Sequence, residues 1–357
     1  MRYVPTNCLR PGQILASNLE MSGRKVMLRK GVQLSEPLIK RIELLGFQGV
    51  YIIDNLSKDL EVADVISDSL KHKARQEIRS MFISMENRQE NRAQGQLDMI
   101  TKVITDIVDE ILYNRSVMVN IVDLRTFDDY TFSHSVNVAV LSVMMGTVLG
   151  LNRTNLNDLA LGALVHDIGK VFVDKKIINK ADRLTDTELV EVRRHAEYGY
   201  KYLVEHVKMK EDVLQAVLLH HEQYNGMGYP THAAGDDIHF FGRIICVADV
   251  FDALTSDRPY RRAMLPSDAI EFILGGYNTM FDPRVVKAFI RKVAPYPIGT
   301  CVKLSNGTTG IVVKNYELYS LRPCIQVIHD GLLTNERLDL ATDTTTLNLT
   351  IKEIVQI

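Results

Sequence analysis

An uncharged, mostly apolar stretch, Val136 to Leu151, runs for 16 residues and carries Asn137 and Ser142 among its aliphatic positions. It falls short of the roughly 20 apolar residues that cross a bilayer, so it predicts a buried core helix rather than a transmembrane segment. Upstream the apolar pattern thins. Residues 56 to about 118 are polar with a narrow apolar stripe, Gly95 is the only glycine from residue 51 to 130, and no proline occurs between Pro37 and Pro230. With both helix breakers scarce, this segment is predicted to be almost wholly helical. It reads either as a solvated connector or as a dimerising stalk, since a long helix with one narrow stripe needs a partner.

The two ends have a different texture. In residues 1–55, the apolar positions around Leu15, Val26-Met27-Leu28 and Val50 to Ile53 predict short strands, and Ser35 with Pro37 opens a helix through Leu45. This is a small α/β module with nothing in it that carries chemistry. From about residue 296 apolar runs flank Asn306-Gly307, a strong hairpin signal between Cys301–Leu304 and Gly310–Val313. Ile325–Ile328 and Leu347–Ile351 continue the pattern, so 296–357 is expected to be a small β-rich, barrel-like domain. The part between, 119–295, is left as a helical segment of its own.

Composition changes little in this picture. A length of 357 residues allows two or three domains, and 46% hydrophobic with 24% charged residues is ordinary for a globular chain. A formal net charge of −2 argues against a nucleic-acid polymer as partner, so an anionic substrate has to be captured locally by a few cations and metal. The four cysteines, Cys8, Cys246, Cys301 and Cys324, form no C-x-x-C pair and read as free thiols in a reducing cytoplasm. The first residues, MRYVPTNCLRPG, hold no apolar run behind a basic start, and no signal peptide is expected.

Histidine is the residue that changes the reading. Eight of the ten lie between residues 134 and 239. His134 sits at the head of the apolar helix, His166-Asp167 follows a second apolar run, and His195, His220-His221 and Asp249 complete the set. Taken singly, each fits a hydrogen-bonded core histidine or a structural acid. Together, with no cysteine taking part, they form an inventory able to hold two hard-to-intermediate divalent metals, the usual chemistry for cutting a phosphodiester with water. Asp249 falls inside an apolar helix, where an unpaired charge would be costly, and Asp252 one turn on could orient a metal ligand from behind. Lys170 lies four residues after His166 and shares its face if the helix continues.

The motifs DYTFSHS, HDIGK, HAEYG, HHEQYNGMGYP, DVFDALTSDRPYR and FDP resemble, in order and spacing, the HD-GYP family of the HD phosphohydrolase superfamily, from about Asp129 to Phe281. The resemblance implies a mainly α fold with an HD-type helical bundle as catalytic core. It also implies that His134, His166, Asp167, His195, His220, His221 and Asp249 are metal ligands, with Asp167 bridging two divalent ions. Iron is the metal of choice and manganese the alternative. Lys170 matches the family's catalytic lysine, and Arg258 and Arg261 its phosphate-binding cations. Tyr229 matches the GYP tyrosine and could contact the second phosphate or gate the pocket; a packed aromatic in a tight turn is the bland alternative. The implied activity is hydrolysis of cyclic di-GMP to pGpG or GMP by metal-activated water. A preference for cyclic GMP-AMP, or a catalytically silent cyclic-dinucleotide receptor, are the competing readings. Tyr130 stands where some members carry a Glu for a third metal, so two ions are expected. Ala196 and Asn225 also depart from frequent family residues without touching the ligand set. A homodimer through the 56–118 helices is a further expectation.

Overall fold

The computed structural model describes the chain except for residues 22–24, 46, 48, 58, 59, 61–63, 88, 89, 116, 120–129, 179, 181, 257–262, 265, 356 and 357. The chain divides into two compact units. One comprises Met1–Asp64, Met118–Tyr130 and Val293–Ile357; the other comprises Val65–Val117 and Thr131–Lys292.

The first unit is β-rich. Strands β1 (Arg2–Pro5), β2 (Ile14–Leu15), β3 (Leu19–Met21) and β4 (Lys25–Leu28) precede helix α1 (Glu36–Leu44) and strand β5 (Gly49–Ile53). The apolar run of β5 forms the centre of an antiparallel sheet of order β1-β5-β2, and β3 pairs with β4. Ser35 takes the extended N-cap conformation ahead of α1, with proline in the first turn as anticipated. Leu15, Leu34, Ile42 and Ile52 close the core of this module.

The C-terminal segment supplies β6 (Cys301–Leu304), β7 (Thr309–Lys314), β8 (Cys324–His329), β9 (Leu332–Asp339) and β10 (Ile351–Ile354). The Asn306-Gly307 turn joins β6 and β7 as expected: Gly307 has φ +90°, and Asn306 Oδ1 accepts from Thr308 N at 3.0 Å. The five strands form an open antiparallel sheet of order β10-β6-β7-β8-β9 rather than a closed barrel, with β9 and β10 at its two edges. Leu347 precedes the last strand instead of belonging to it. Leu56 packs with Cys301, Ile311 and Ile328, so chain from both ends contributes to one core.

The second unit is helical. Helices α2 (Asp68–Glu86) and α3 (Glu90–Tyr113) occupy most of the segment read as connector or stalk. They form a hairpin linked by Lys73 to Asp106 at 3.0 Å and by Glu110, which accepts from Ser67 N at 2.8 Å. Their thin stripes bury Ile78 and Met81 on one helix and Ile100, Ile104 and Ile107 on the other. The stripe that wanted a partner thus has cover within the chain.

Among the described residues, the unit is completed by α4 (Tyr130–Val148), α5 (Arg153–Val165), α6 (Lys175–Ile178), α7 (Asp186–Arg193), α8 (His195–His206), α9 (Glu211–Leu219), α10 (Phe240–Thr255), α11 (Pro266–Gly275) and α12 (Pro283–Lys292). The uncharged stretch from Val136 lies largely within α4 and is buried, as its composition predicts. Helix α9 packs against α5, α8 and α10, which brings the ends of several helices to one place. Among the described residues no helix is long and apolar enough to cross a membrane.

Candidate metal centre

Three imidazoles are delivered by the same local device. His166 and His220 are the C-terminal caps of α5 and α9, and His195 follows the cap of α7. Each turns its Nδ1 onto a carbonyl three residues earlier: His166 to Ala163 O at 2.7 Å, His195 to Val192 O at 2.6 Å, His220 to Val217 O at 2.7 Å. The last carbonyls of a helix lack an intrahelical partner, and a histidine at that point supplies one. A carbonyl only accepts, so Nδ1 carries the proton and Nε2 presents a lone pair. All three rings are at most 1% exposed.

Those lone pairs converge. His195 Nε2 and His220 Nε2 stand 3.3 Å apart, and His166 Nε2 has no hydrogen-bond partner. Asp167 lies between the rings. Its Oδ2 is 3.4 Å from His166 Nε2 and 3.7 Å from His134 Nε2, while its Oδ1 is 3.3 Å from His195 Nε2 and accepts no hydrogen bond. Two groups of potential cation donors result, one of His134, His166 and Asp167, the other of Asp167, His195, His220 and His221. Within each, one donor atom from every residue lies within 4.8 Å of the others. Buried lone pairs facing one another are unfavourable unless a proton or cation sits among them, and the all-nitrogen-and-oxygen donors suit a divalent ion. The residues present therefore fit a metal centre.

His134 and Asp249 complete the cluster from α4 and α10. His134 Nε2 is 3.1 Å from Asp249 Oδ1, and His221 Nδ1 is 3.6 Å from Asp249 Oδ2. On its other side His134 Nδ1 meets Asp252 Oδ2 at 2.6 Å, and Asn137 Nδ2 donates to Asp252 Oδ1 at 2.8 Å. This carboxylate behind a histidine fixes ring orientation and basicity. The motif reading of Asp252 thus finds its geometry.

The electrostatics follow from burial and these neighbours. Burial depresses His195 to about 4 and His221 to about 3, and holds His220 well below the usual range. Burial would also lower His134, but the Asp249 and Asp252 carboxylates outweigh it and raise the ring to about 9. Desolvation works against the charge of Asp167, yet Lys170 and the imidazoles around it keep it well below the carboxylate norm. Asp249 is held down in the same way by His134 and His221.

Three glycines explain why the motifs read as they do. Beyond His166 the α-helix stops, and Ile168–Phe172 form a 3-10 turn, so Lys170 does not continue the face of His166. It folds back instead and its Nζ pairs with Asp167 Oδ2. Gly169 in this turn sits against α8: a Cβ there would lie 1.9 Å from His195 O and 2.4 Å from Gly199 N. The glycines of HDIGK and HAEYG thus let the Asp167 turn and the His195 helix touch. Gly228 does the same for the loop after α9, since a Cβ would lie 2.3 Å from Gln223 N. That approach stacks Tyr229 on His221, with ring centroids 4.7 Å apart and planes at 27°.

Residues outside the sequence reading hold the frame. Glu222 is 1% exposed, and its Oε1 accepts from Thr231 N at 2.6 Å and Thr231 Oγ1 at 2.8 Å, tying down the far side of the Tyr229 loop. Asp282 of the FDP motif pairs with Arg243 at 3.0 Å and so clamps α10, the helix of Asp249. Of the departures noted above, Ala196 is buried, and Asn225 Oδ1 accepts from Met227 N at 3.1 Å. Arg258, Arg261 and the side chain of Tyr130 lie outside the described residues.

Comparison with known proteins agrees with this geometry. Residues 116–285 match the HD domain family, which agrees with the HD-GYP resemblance of the motifs. A cyclic di-GMP phosphodiesterase of Pseudomonas aeruginosa is 37% identical over 227 residues, covering 62% of this chain and 55% of that protein. A cyclic di-GMP phosphodiesterase response regulator of Xanthomonas campestris pv. campestris is 36% identical over 144 residues, covering 40% and 38%. A 3'3'-cGAMP-specific phosphodiesterase of Vibrio cholerae is 38% identical over 190 residues, covering 53% and 43%. The chain spans about half the length of these curated relatives or less.

Proposed function

We propose that this chain is a metal-dependent phosphodiesterase that hydrolyses cyclic di-GMP to pGpG, GMP or both. The observation that carries the reading is the division of the Asp167 carboxylate between two sets of imidazoles. His134, His166 and Asp167 would hold one divalent ion, and Asp167, His195, His220 and His221 the other, with Asp249 completing the set from α10. Such ions, when bound, acidify water for attack and withdraw charge from phosphoryl oxygens. Iron is our assignment and manganese the alternative, as the family resemblance implies; by softness alone the sulfur-free donor set suits zinc or nickel as well.

The chain's own residues do the rest. The Nδ1 bonds to backbone keep three imidazoles in the tautomer that binds a cation. Asp252 holds the His134 ring. Lys170, its side chain 32% exposed, neutralises Asp167 and presents an ammonium to incoming phosphate oxygens. Tyr229 covers His221 and excludes water from that edge, and Arg258 and Arg261 would bind the substrate phosphates. Four cysteines that form no disulfide support a cytoplasmic setting. A homodimer would use faces that the α2–α3 hairpin leaves open, where Ile83 and Met99 are exposed; light scattering that finds only monomer removes it.

The test is incubation of anaerobically Fe(II)- or Mn(II)-loaded protein with cyclic di-GMP, products resolved by chromatography, beside Asp167→Ala. Metal-dependent turnover absent from the variant is the expected result. Binding without turnover under every metal would overturn the enzyme in favour of a receptor. Turnover of 3'3'-cGAMP in preference would reassign the substrate, in line with the Vibrio cholerae relative.

A further inference from the structure

A cyclic dinucleotide carries two phosphodiesters, and the cluster around Asp167 can engage one of them while it is cut. The second anionic group then lies away from the cluster, where a cation besides Lys170, Arg258 and Arg261 can serve it. Lys170, paired with Asp167, faces the phosphate at the cluster itself. At the rim of the same cluster stand two consecutive arginines with different surroundings. Arg194 is paired with Glu191 at 3.3 Å and lies over the Tyr198 ring. Arg193 is exposed, and among the described residues no carboxylate pairs with it. Its guanidinium lies 5.2 Å from the centroid of Tyr229, the ring that stacks on His221. His221, Tyr229 and Arg193 thus form a contiguous series leading from the cluster to solvent.

We infer that Arg193 binds the uncleaved phosphate of a two-phosphate substrate, which makes it a specificity-determining contact of the phosphodiesterase proposed above and rests on that reading. The planar fork suits a phosphate, which it grips with two parallel hydrogen bonds. Its seat on Tyr229 holds that fork in place before substrate arrives, so little side-chain freedom is lost on binding. The position explains why one of two adjacent arginines is left without a carboxylate: a paired guanidinium would have to break that pair to take up an anion.

The experiment compares two substrates on the metal-loaded full chain: cyclic di-GMP, and bis(p-nitrophenyl) phosphate, which has a single phosphate. For Arg193→Ala the ratio of kcat/KM for cyclic di-GMP to that for the small diester is expected to fall about tenfold or more, the value of one hydrogen bond to a charged group. The loss appears in KM for the dinucleotide, and Arg193→Lys recovers part of it because the charge is kept. Metal content of each variant, measured alongside, separates this from damage to the cluster. An unchanged ratio, or a fall confined to kcat, would overturn the role of Arg193 alone. A wild-type protein inert towards both substrates would overturn the phosphodiesterase reading and this inference with it.

Discussion

His195 and His220 face each other through Nε2 atoms 3.3 Å apart, each with its Nδ1 proton already given to a backbone carbonyl. Neither ring can donate to the other, and burial keeps both from gaining a proton. The arrangement is unfavourable without a cation between or beside them. Divalent metal should therefore raise the melting temperature of chelator-treated protein, by about 3 kcal/mol of stability at a hundredfold excess over Kd. Calorimetry with and without Mn(II) reads this directly, and no shift would deny the centre.

Asp252 supports His134 from behind the cluster. Replacing it with Asn keeps the shape but removes the charge that orients and enriches the imidazole. Metal affinity in Asp252→Asn is expected to fall about 10- to 100-fold. Competition against a chromophoric chelator measures it, and an affinity equal to wild type would show that His134 needs no such support.

The metal-free protein should lose stability as pH falls. Unfolded histidine titrates near 6.5, whereas His195 does so at about 4 and His221 at about 3, with His220 also depressed. Between pH 6.5 and 4 the unfolded chain takes up protons that the folded chain refuses, so unfolding is favoured there. His134, raised to about 9, acts in the opposite sense: its contribution is full below 6.5 and is lost as pH rises through 9. Thermal scans of metal-free protein at pH 7 and pH 5 should show the lower midpoint at pH 5, and His195→Asn should lessen the difference. A midpoint that rises on acidification contradicts the assignment of these rings as neutral.

Much of the site was legible because its chemistry sits in contiguous motifs. His134, His166, Asp167, His195, His220, His221 and Asp249, read from spacing and family resemblance, converge in one cluster. The helix end after His166 was harder to see. The sequence offers no proline there, and a continued helix put Lys170 on the face of His166; the close approach of Gly169 to α8 bends the chain into a 3-10 turn instead. Strand β9, LLTNERLD, was invisible for a related reason. As an edge strand it needs only one hydrogen-bonded neighbour and few buried side chains, so its polar sequence carries little alternation. The joining of chain from both ends in one core, through Leu56 and Cys301, depends on contacts too distant in sequence for any local pattern to record.

Gly169→Ala offers a test of that turn. The added Cβ would lie 1.9 Å from a backbone oxygen, which no rotamer change relieves. A loss on the order of 3 kcal/mol or more is expected, together with displacement of His195 and loss of metal. Denaturant melts and metal analysis check both, and a variant of wild-type stability would show that α8 and the Asp167 turn are not pressed together.

The most direct test is anomalous diffraction from crystals grown with Mn(II). Two peaks are expected, one among His134, His166 and Asp167 and the other among Asp167, His195, His220 and His221, with the carboxylate of Asp167 between them. A single peak, or none at Asp167, would contradict the two-ion centre on which the proposed phosphodiesterase stands.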